Sequence, residues 1–162
     1  IDVVKKAEEL GFTEPDPSID LSGIDVARKI LILARESGYN LEIEDIKNDP
    51  FLPEKTKNTK SKKEFYQILK NNSNYFSDML NKALEKNCKL KYVAELKDGK
   101  ASVGLKHIDR NHDFYNLEGS DNIILFYTNR YSEQPLIVKG AGAGGDVTAA
   151  GIFADIIRIG KR

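Results

Sequence analysis

The feature that most constrains the fold is an alternating apolar pattern interrupted by one tight-turn signal, Asp98-Gly99. Asp-Gly is typical of two-residue hairpin turns, in which both central residues need a positive φ. Folding the chain about this turn pairs Leu96 with Ala101, Ala94 with Val103, Tyr92 with Leu105 and Leu90 with His107. All eight side chains then lie on one face, so the pattern predicts a half-buried antiparallel hairpin.

Helical periodicity is strongest over residues 22–38, where Ser22 supplies a cap and Gly38 a stop signal. Apolar residues surround nearly all of the middle of this segment, which favours a central, buried helix. A shorter helix is predicted over residues 2–10, ending at Gly11.

The remaining segments complete an α+β pattern. Ser61 and Glu64 form a capping box that opens one helix, and residues 74–86 have the apolar spacing of another. Three further segments have the composition of strands: residues 41–46, 122–128 and 135–139. We therefore predict an α+β fold, in which a mixed, mostly antiparallel sheet containing the hairpin is covered by helices.

Composition excludes several classes of function. Lys plus Arg and Asp plus Glu both number 25, so a formal net charge of zero gives no reason to expect nucleic acid or an anionic membrane as partner. No apolar run approaches the roughly 20 residues that a membrane helix needs. Cys88 is the only cysteine, which excludes an internal disulfide and predicts a cytoplasmic protein.

The N-terminus predicts that these 162 residues are a fragment of a longer protein. The chain begins at Ile1, without an initiator methionine or the layout of a signal peptide.

Positive charge is concentrated in one polar segment, residues 48–63, which carries lysines at positions 55, 57, 60, 62 and 63. Such a run could bind phosphates. A solvated surface loop is the favoured interpretation, because no aromatic residues lie between the lysines.

The first candidate site is a set of carboxylates and one lysine around the start of the central helix: Glu14, Asp16, Asp20, Asp25 and Lys29. Asp25 and Lys29 are four residues apart and so share a helical face. A simpler explanation is that Asp25 completes a capping box with Ser22 and pairs with Lys29 on the surface. Against it, the helix is too apolar for a surface position, and a buried lysine needs a partner or a function.

The second candidate site is a glycine-rich turn, residues 140–145, which reads GAGAGG. It follows a predicted strand and opens a predicted helix, as a dinucleotide-binding turn does. The rest of that fingerprint is missing, because no further strand and no acidic residue about 20 positions on follow it. Its N–H groups could contact a phosphate or a nicotinamide edge, and a tight turn with close helix packing is an equally good explanation.

The two histidines, His107 and His112, have no cysteine partner at metal-ligand spacing. A structural or solvent-facing role is favoured for both, and we predict no metal site.

Two long motifs lie at opposite ends of the chain. The first is GFTEPDP at residues 11–17 followed by DLSGIDVARK at residues 20–29, and the second is KGAGAGGDVTAAG at residues 139–151. Together they resemble the motifs of homoserine dehydrogenases. The tail, with FYTNRY at residues 126–131 before it, looks more like the bifunctional aspartokinase–homoserine dehydrogenases.

The resemblance implies an oxidoreductase that interconverts L-homoserine and L-aspartate 4-semialdehyde with NADP or NAD, in threonine, methionine and isoleucine biosynthesis. It implies that Lys29 protonates the alkoxide that forms as hydride arrives, and that Asp25 holds the lysine in place and keeps it charged. Glu14 and Asp20 would bind the substrate's amino group.

The resemblance also implies how the chain is organised. Residues 1–139 would form a substrate-binding and dimerisation domain of a homodimer. Residues 140–162 would pack against a nucleotide-binding Rossmann domain that the chain lacks, with Gly142 and Gly144 contacting the cofactor. We therefore expect this fragment alone to be inactive.

One departure from the family pattern affects the substrate loop. The family sequence PDPRDDL is PDPSIDL here, so that an arginine and one aspartate are lost while Asp20 keeps the second aspartate.

The competing hypothesis is a non-catalytic dimerisation module or a regulatory small-molecule-binding module, which would have no use for Lys29 beside Asp25.

Overall fold

The computed structural model describes residues 1–11, 13, 16–119, 121–142 and 144–161, apart from the side chain of Asn58. These residues form two compact units, Ile1–Arg110 and Asn111–Arg162. The boundary predicted after residue 139 separates two proposed functions and not two compact units, and it stays a prediction.

The first unit contains most of the regular structure. Its described helices are α1 (Asp2–Glu9), α2 (Pro17–Leu21), α3 (Ile24–Glu36), α4 (Lys62–Asn71) and α5 (Ser73–Glu85), with 3₁₀ helices at Ile43–Asp45 and Glu54–Asn58. Its strands are β1 (Lys47–Asp49), β2 (Lys89–Lys97) and β3 (Lys100–Ile108).

The hairpin forms in the predicted register. β2 and β3 are antiparallel, and all four predicted pairs, from Leu96–Ala101 to Leu90–His107, are present. Asp98 and Gly99 take φ values of 50° and 74°, as the tight turn requires.

A third strand makes the sheet mixed. β1 pairs in parallel with β3, giving the order β1-β3-β2. The two strands approach closely at Gly104, where a Cβ atom would lie 3.1 Å from the Asp49 Cβ. The strand predicted over residues 41–46 is therefore wrong: Ile43–Asp45 is a 3₁₀ helix and the strand begins at Lys47. Glu42 and Asp45 close that 3₁₀ turn with reciprocal side-chain hydrogen bonds, which compete with extension.

The core lies between one face of α3 and the sheet. Its buried residues are Ala27, Ile30, Leu31, Ile46, Ala101 and Val103, with Tyr92, Ala94 and Leu96 packed against them. The prediction that α3 is a central, buried helix holds for the face against the sheet and is wrong for the opposite face in this unit, since Ile32 is 60% exposed. The predicted stop at Gly38 is confirmed by its φ of 89°, two residues after α3 ends.

Only one of the two hydrogen bonds of the predicted capping box of α4 is formed. Ser61 accepts a hydrogen bond from the Glu64 N–H at 3.2 Å, as predicted. The Glu64 carboxylate instead accepts from the Lys60 N–H at 2.9 Å. The lysine-rich segment that leads into α4 contains a 3₁₀ helix with Thr56 buried, so it is more ordered than a plain loop.

Helix α1 is attached to α4 through Glu8, which accepts hydrogen bonds from Lys62 and, at 2.8 Å, from the Tyr66 hydroxyl. The bond from Lys62, and after it the bond from Tyr66, lowers the pKa of Glu8 below its ordinary 4.5. Burial, followed by the hydrogen bond to Glu8, raises the pKa of Tyr66 to about 12. The charged form of Glu8 is therefore the form that connects the two helices.

The second unit is a two-stranded antiparallel sheet and a helix. β4 (Asp121–Phe126) and β5 (Leu136–Ala141) pair from Asp121–Ala141 to Phe126–Leu136, which confirms both predicted strands. Helix α6 (Gly145–Gly160) follows. In the described part of the chain, no helix combines the length and apolar character needed to cross a membrane.

Replacing Glu8 with glutamine should lower the thermal unfolding midpoint near pH 7 and have little effect in acid. A carboxyl whose folded pKa is depressed stabilises the fold above its unfolded pKa, and this stabilisation is lost as pH falls through the folded pKa. Unfolding midpoints of wild type and Glu8→Gln, measured from about pH 7 down to about pH 3, should therefore converge. Glu9→Gln, on the same helix, is the matched control and should show no such pH-dependent difference. A constant gap at all pH values would contradict the assignment.

Candidate functional site

Asp25 and Lys29 form an ion pair on helix α3, with 2.8 Å between the Asp25 Oδ2 and the Lys29 Nζ. The four-residue spacing places them on one helical face, as the sequence predicts. Their side chains are 54% and 58% exposed, so the expectation of a buried lysine is wrong for this unit. The apolar neighbours of Lys29 in sequence, such as Ala27 and Ile30, face the sheet on the opposite side.

The other carboxylates of the cluster lie before α3. Asp16 caps α2, accepting a hydrogen bond from the Ser18 N–H at 2.9 Å, which is a structural role. Asp20 lies in α2, the helix immediately before α3. Glu14 falls outside the described residues, and its predicted role stays a prediction.

A sharp bend at Ser22-Gly23 joins α2 to α3, and we call these two residues the elbow. The Ser22 hydroxyl donates to the Ile19 carbonyl at 2.6 Å and accepts from the Ile24 N–H at 3.3 Å. Gly23 has φ +80°, a left-handed conformation that favours glycine. Ser22 therefore spans the bend, and Asp25 pairs with Lys29 rather than completing a capping box with Ser22.

Two residues that the sequence did not single out for function hold this elbow. The Asn48 side chain donates to the Ser22 carbonyl at 3.0 Å, and the Tyr92 hydroxyl donates to the Asn48 Oδ1 at 3.1 Å. Tyr92 was predicted only as a hairpin residue facing the core. A tyrosine on the inner face of a hairpin is expected to need a hydrogen-bond partner for its hydroxyl group. The sequence therefore indicates that Tyr92 has a polar partner, but it does not identify that partner as Asn48.

The glycine-rich turn lies in the second unit and is described separately from the ion pair. Gly144 precedes α6 with φ 126° and ψ 148°, a conformation essentially restricted to glycine. A Cβ at Gly142 would lie 2.1 Å from the Asn122 Nδ2. The backbone conformation thus favours glycine at position 144, and Gly142 lies close to the Asn122 side chain, which agrees with the tight-turn explanation. The contact of both glycines with a cofactor stays a prediction.

His112 has a structural role, as predicted. Its Nδ1 accepts a hydrogen bond from the Phe114 N–H at 3.1 Å, and the two rings lie 4.6 Å apart.

The fold and the site define an α+β domain with a solvent-accessible lysine–carboxylate pair near the start of a helix. Comparison with known proteins identifies the family. Residues 1–157 match the homoserine dehydrogenase family, and the chain belongs to that family.

Curated relatives include bifunctional aspartokinase/homoserine dehydrogenases. The chain is 45% identical to that of Buchnera aphidicola over 95% of its own length and 19% of the relative, and 48% identical to a chloroplastic one from Zea mays over 98% and 17%. It is 44% identical to a homoserine dehydrogenase of Paracoccidioides brasiliensis, over 99% and 44%. The chain therefore spans less than half the length of these relatives. A cytoplasmic location stays a prediction.

Solved structures confirm the α+β fold. A Candida auris protein of unknown function matches with a TM-score of 0.91 and 41% identity, over 99% of this chain and 46% of that one. A putative homoserine dehydrogenase from Archaeoglobus fulgidus matches with a TM-score of 0.70 and 28% identity, over 98% and 42%.

Replacing Lys29 with alanine should leave stability nearly unchanged. Exposed ion pairs at this helical spacing contribute about 0.3–0.5 kcal/mol, and alanine has the higher helix propensity. Chemical denaturation of Lys29→Ala should give an unfolding free energy within about 0.5 kcal/mol of wild type. The buried Phe65 provides the contrast, since Phe65→Ala should cost about 3–5 kcal/mol. A loss for Lys29→Ala comparable to that for Phe65→Ala would show that the pair is structural.

Proposed function

We propose that this chain is the substrate-binding and catalytic part of a homoserine dehydrogenase that interconverts L-homoserine and L-aspartate 4-semialdehyde. The observation that carries the proposal is the Asp25–Lys29 ion pair, formed within the family motif and open to solvent. A substrate must be able to reach the Lys29 Nζ, and an exposed pair allows this.

Lys29 is proposed to act as the general acid in the reductive direction and as the general base in the oxidative direction. In the reductive direction, hydride adds to the aldehyde carbon and negative charge develops on the aldehyde oxygen. An ammonium within hydrogen-bond reach stabilises that charge and donates its proton, giving the hydroxyl of homoserine. In the oxidative direction, neutral Lys29 accepts the hydroxyl proton as hydride leaves.

Asp25 is proposed to position Lys29. A lysine side chain has many rotamers, and the 2.8 Å contact selects those with the Nζ beside the first turn of α3.

Glu14 and Asp20 are proposed to bind the ammonium group of the substrate, because carboxylates accept charge-assisted hydrogen bonds from amines. Asp20 is carried by α2, directly before the helix of Lys29. The changed residues Ser18 and Ile19 lie on that same short helix, so the altered loop keeps a defined backbone.

The cofactor is proposed to be NADP or NAD, which supplies or accepts the hydride when bound. Gly142 and Gly144 would contact it, because a turn without side chains lets a ring or amide approach the backbone closely. No described side chain caps the N-terminus of α6. Asp146 in the first turn disfavours a phosphate there, which makes the nicotinamide end the better fit.

A nucleotide-binding domain is proposed to cover α6, and residues 1–139 to form the interface of a homodimer. Apolar side chains on α6 are exposed in the second unit, among them Ile152, Phe153 and Ile156. Several large apolar side chains exposed on one helix are typical of an interface. Because the hydride donor would be held largely by that domain, the isolated chain is proposed to be inactive.

In the full-length protein, Lys29→Ala should lower kcat for homoserine oxidation by about 100- to 10,000-fold, the usual contribution of a positioned acid or base. Steady-state rates with NADP and with NAD test this. Arg28→Ala removes the neighbouring exposed cation and is the matched control, with a rate close to wild type. An active wild type whose rate is unchanged by Lys29→Ala would reject the catalytic role. An inactive wild type would favour the non-catalytic dimerisation or regulatory module instead.

Gly144→Ala should weaken cofactor binding in the full-length protein by about tenfold or more, because a Cβ in this backbone conformation both strains the turn and blocks close approach. Titration of cofactor fluorescence measures the dissociation constant. Gly119→Ala is the matched control, since Gly119 is another positive-φ glycine of the same unit with no proposed cofactor contact. If both variants lose stability and neither loses cofactor affinity, Gly144 serves the turn alone.

A further inference from the structure

The phenol end of Tyr92 packs directly against Gly23 of the elbow. A Cβ atom built at Gly23 would lie 1.9 Å from the Tyr92 hydroxyl and 2.7 Å from the ring carbon that carries it. The positive φ of Gly23 and the position of Tyr92 therefore both require glycine here. The phenol end of a strand residue occupies the space that a side chain at the elbow would need.

Asn48 joins this contact to a second one. Its amide donates to the Ser22 carbonyl while its Oδ1 accepts from Tyr92. Burial, and then the Asp49 carboxylate, raise the pKa of the Tyr92 hydroxyl, which keeps it protonated and able to donate. The Phe51 ring packs edge-on against Tyr92 at 5.9 Å and restricts its rotation. One chain of contacts thus runs from β2 through β1 to the elbow.

We infer that Tyr92 and Asn48 are positioning residues for the dehydrogenase reaction, acting through the elbow to set the direction of α2 relative to α3. This inference rests on the proposed function. The elbow is the only backbone between the helix that carries Asp20 and the helix that carries the Asp25–Lys29 pair. Its geometry therefore sets the placement of the carboxylate proposed for the substrate ammonium relative to the proposed acid.

This arrangement predicts an effect on the substrate and not on the cofactor. The elbow lies in the first unit, and the glycines proposed for the cofactor lie in the second. A loosened elbow should raise KM for homoserine and lower kcat, while KM for the cofactor stays near the wild-type value. A purely structural tyrosine would shift both KM values, or neither, in proportion to lost stability.

Tyr92→Phe in the full-length protein is the first test, because it removes one hydroxyl and keeps the ring. Losing one neutral hydrogen bond should lower kcat/KM for homoserine by about three- to tenfold. KM for the cofactor should change by less than about twofold, because no contact to it is altered. Tyr39→Phe is the matched control, since the Tyr39 ring lies against Gly99 in the hairpin turn and Tyr39 is not part of the chain of contacts from β2 to the elbow.

Asn48→Ala should give the same pattern, because it removes both hydrogen bonds of the chain of contacts. Combining it with Tyr92→Phe should add little further loss, since residues in one network are not additive. Asn40→Ala is the control for loss of an amide from an exposed position.

Three results would overturn the inference. They are an unchanged kcat/KM for homoserine in Tyr92→Phe, equal changes in both KM values, and full additivity of the Asn48 and Tyr92 losses. Absence of activity in wild type would be a failure of the proposed function itself, and the inference would fall with it. An active wild type with an unaffected Tyr92→Phe variant would reject the positioning role alone.

Discussion

The packing of one face of α3 against the β2–β3 hairpin is the constraint on which the rest of the first unit depends. Small residues such as Ala27 and Ala101 let helix and sheet approach closely, and Ile30, Leu31 and Val103 fill the space between them. The opposite face of α3 is open in this unit, and that face carries Asp25 and Lys29. The candidate site is thus placed by the core without forming part of it.

Local signals in the sequence were sufficient where one interaction decides the structure. The Asp98-Gly99 turn and the alternation around it determined the hairpin register, because a slip by one residue would turn every apolar side chain to the other face. Gly38 ended α3 for a similarly local reason. These features need no knowledge of distant residues.

Prediction failed where distant residues decide. The apolar residues around nearly all of the middle of α3 indicated a central, buried helix, but this unit covers only one face and leaves Ile32 exposed. Residues 41–46 have strand composition, yet the 3₁₀ turn closed by Glu42 and Asp45 moves the strand to Lys47. In the candidate site, the Asp25–Lys29 pair followed from helical spacing. The contacts of Tyr92 and Asn48 with the elbow did not, because they join residues up to about seventy positions apart.

The exposure of the Asp25–Lys29 pair also affects how a cell treats variants in which the pair is lost. Chaperones and proteases act on chains that unfold, and their action follows stability rather than chemistry. A pair that contributes little to folding can therefore be lost without lowering the abundance of the protein. Measuring the amount of folded protein in a cell would therefore not reveal a substitution such as Lys29→Ala.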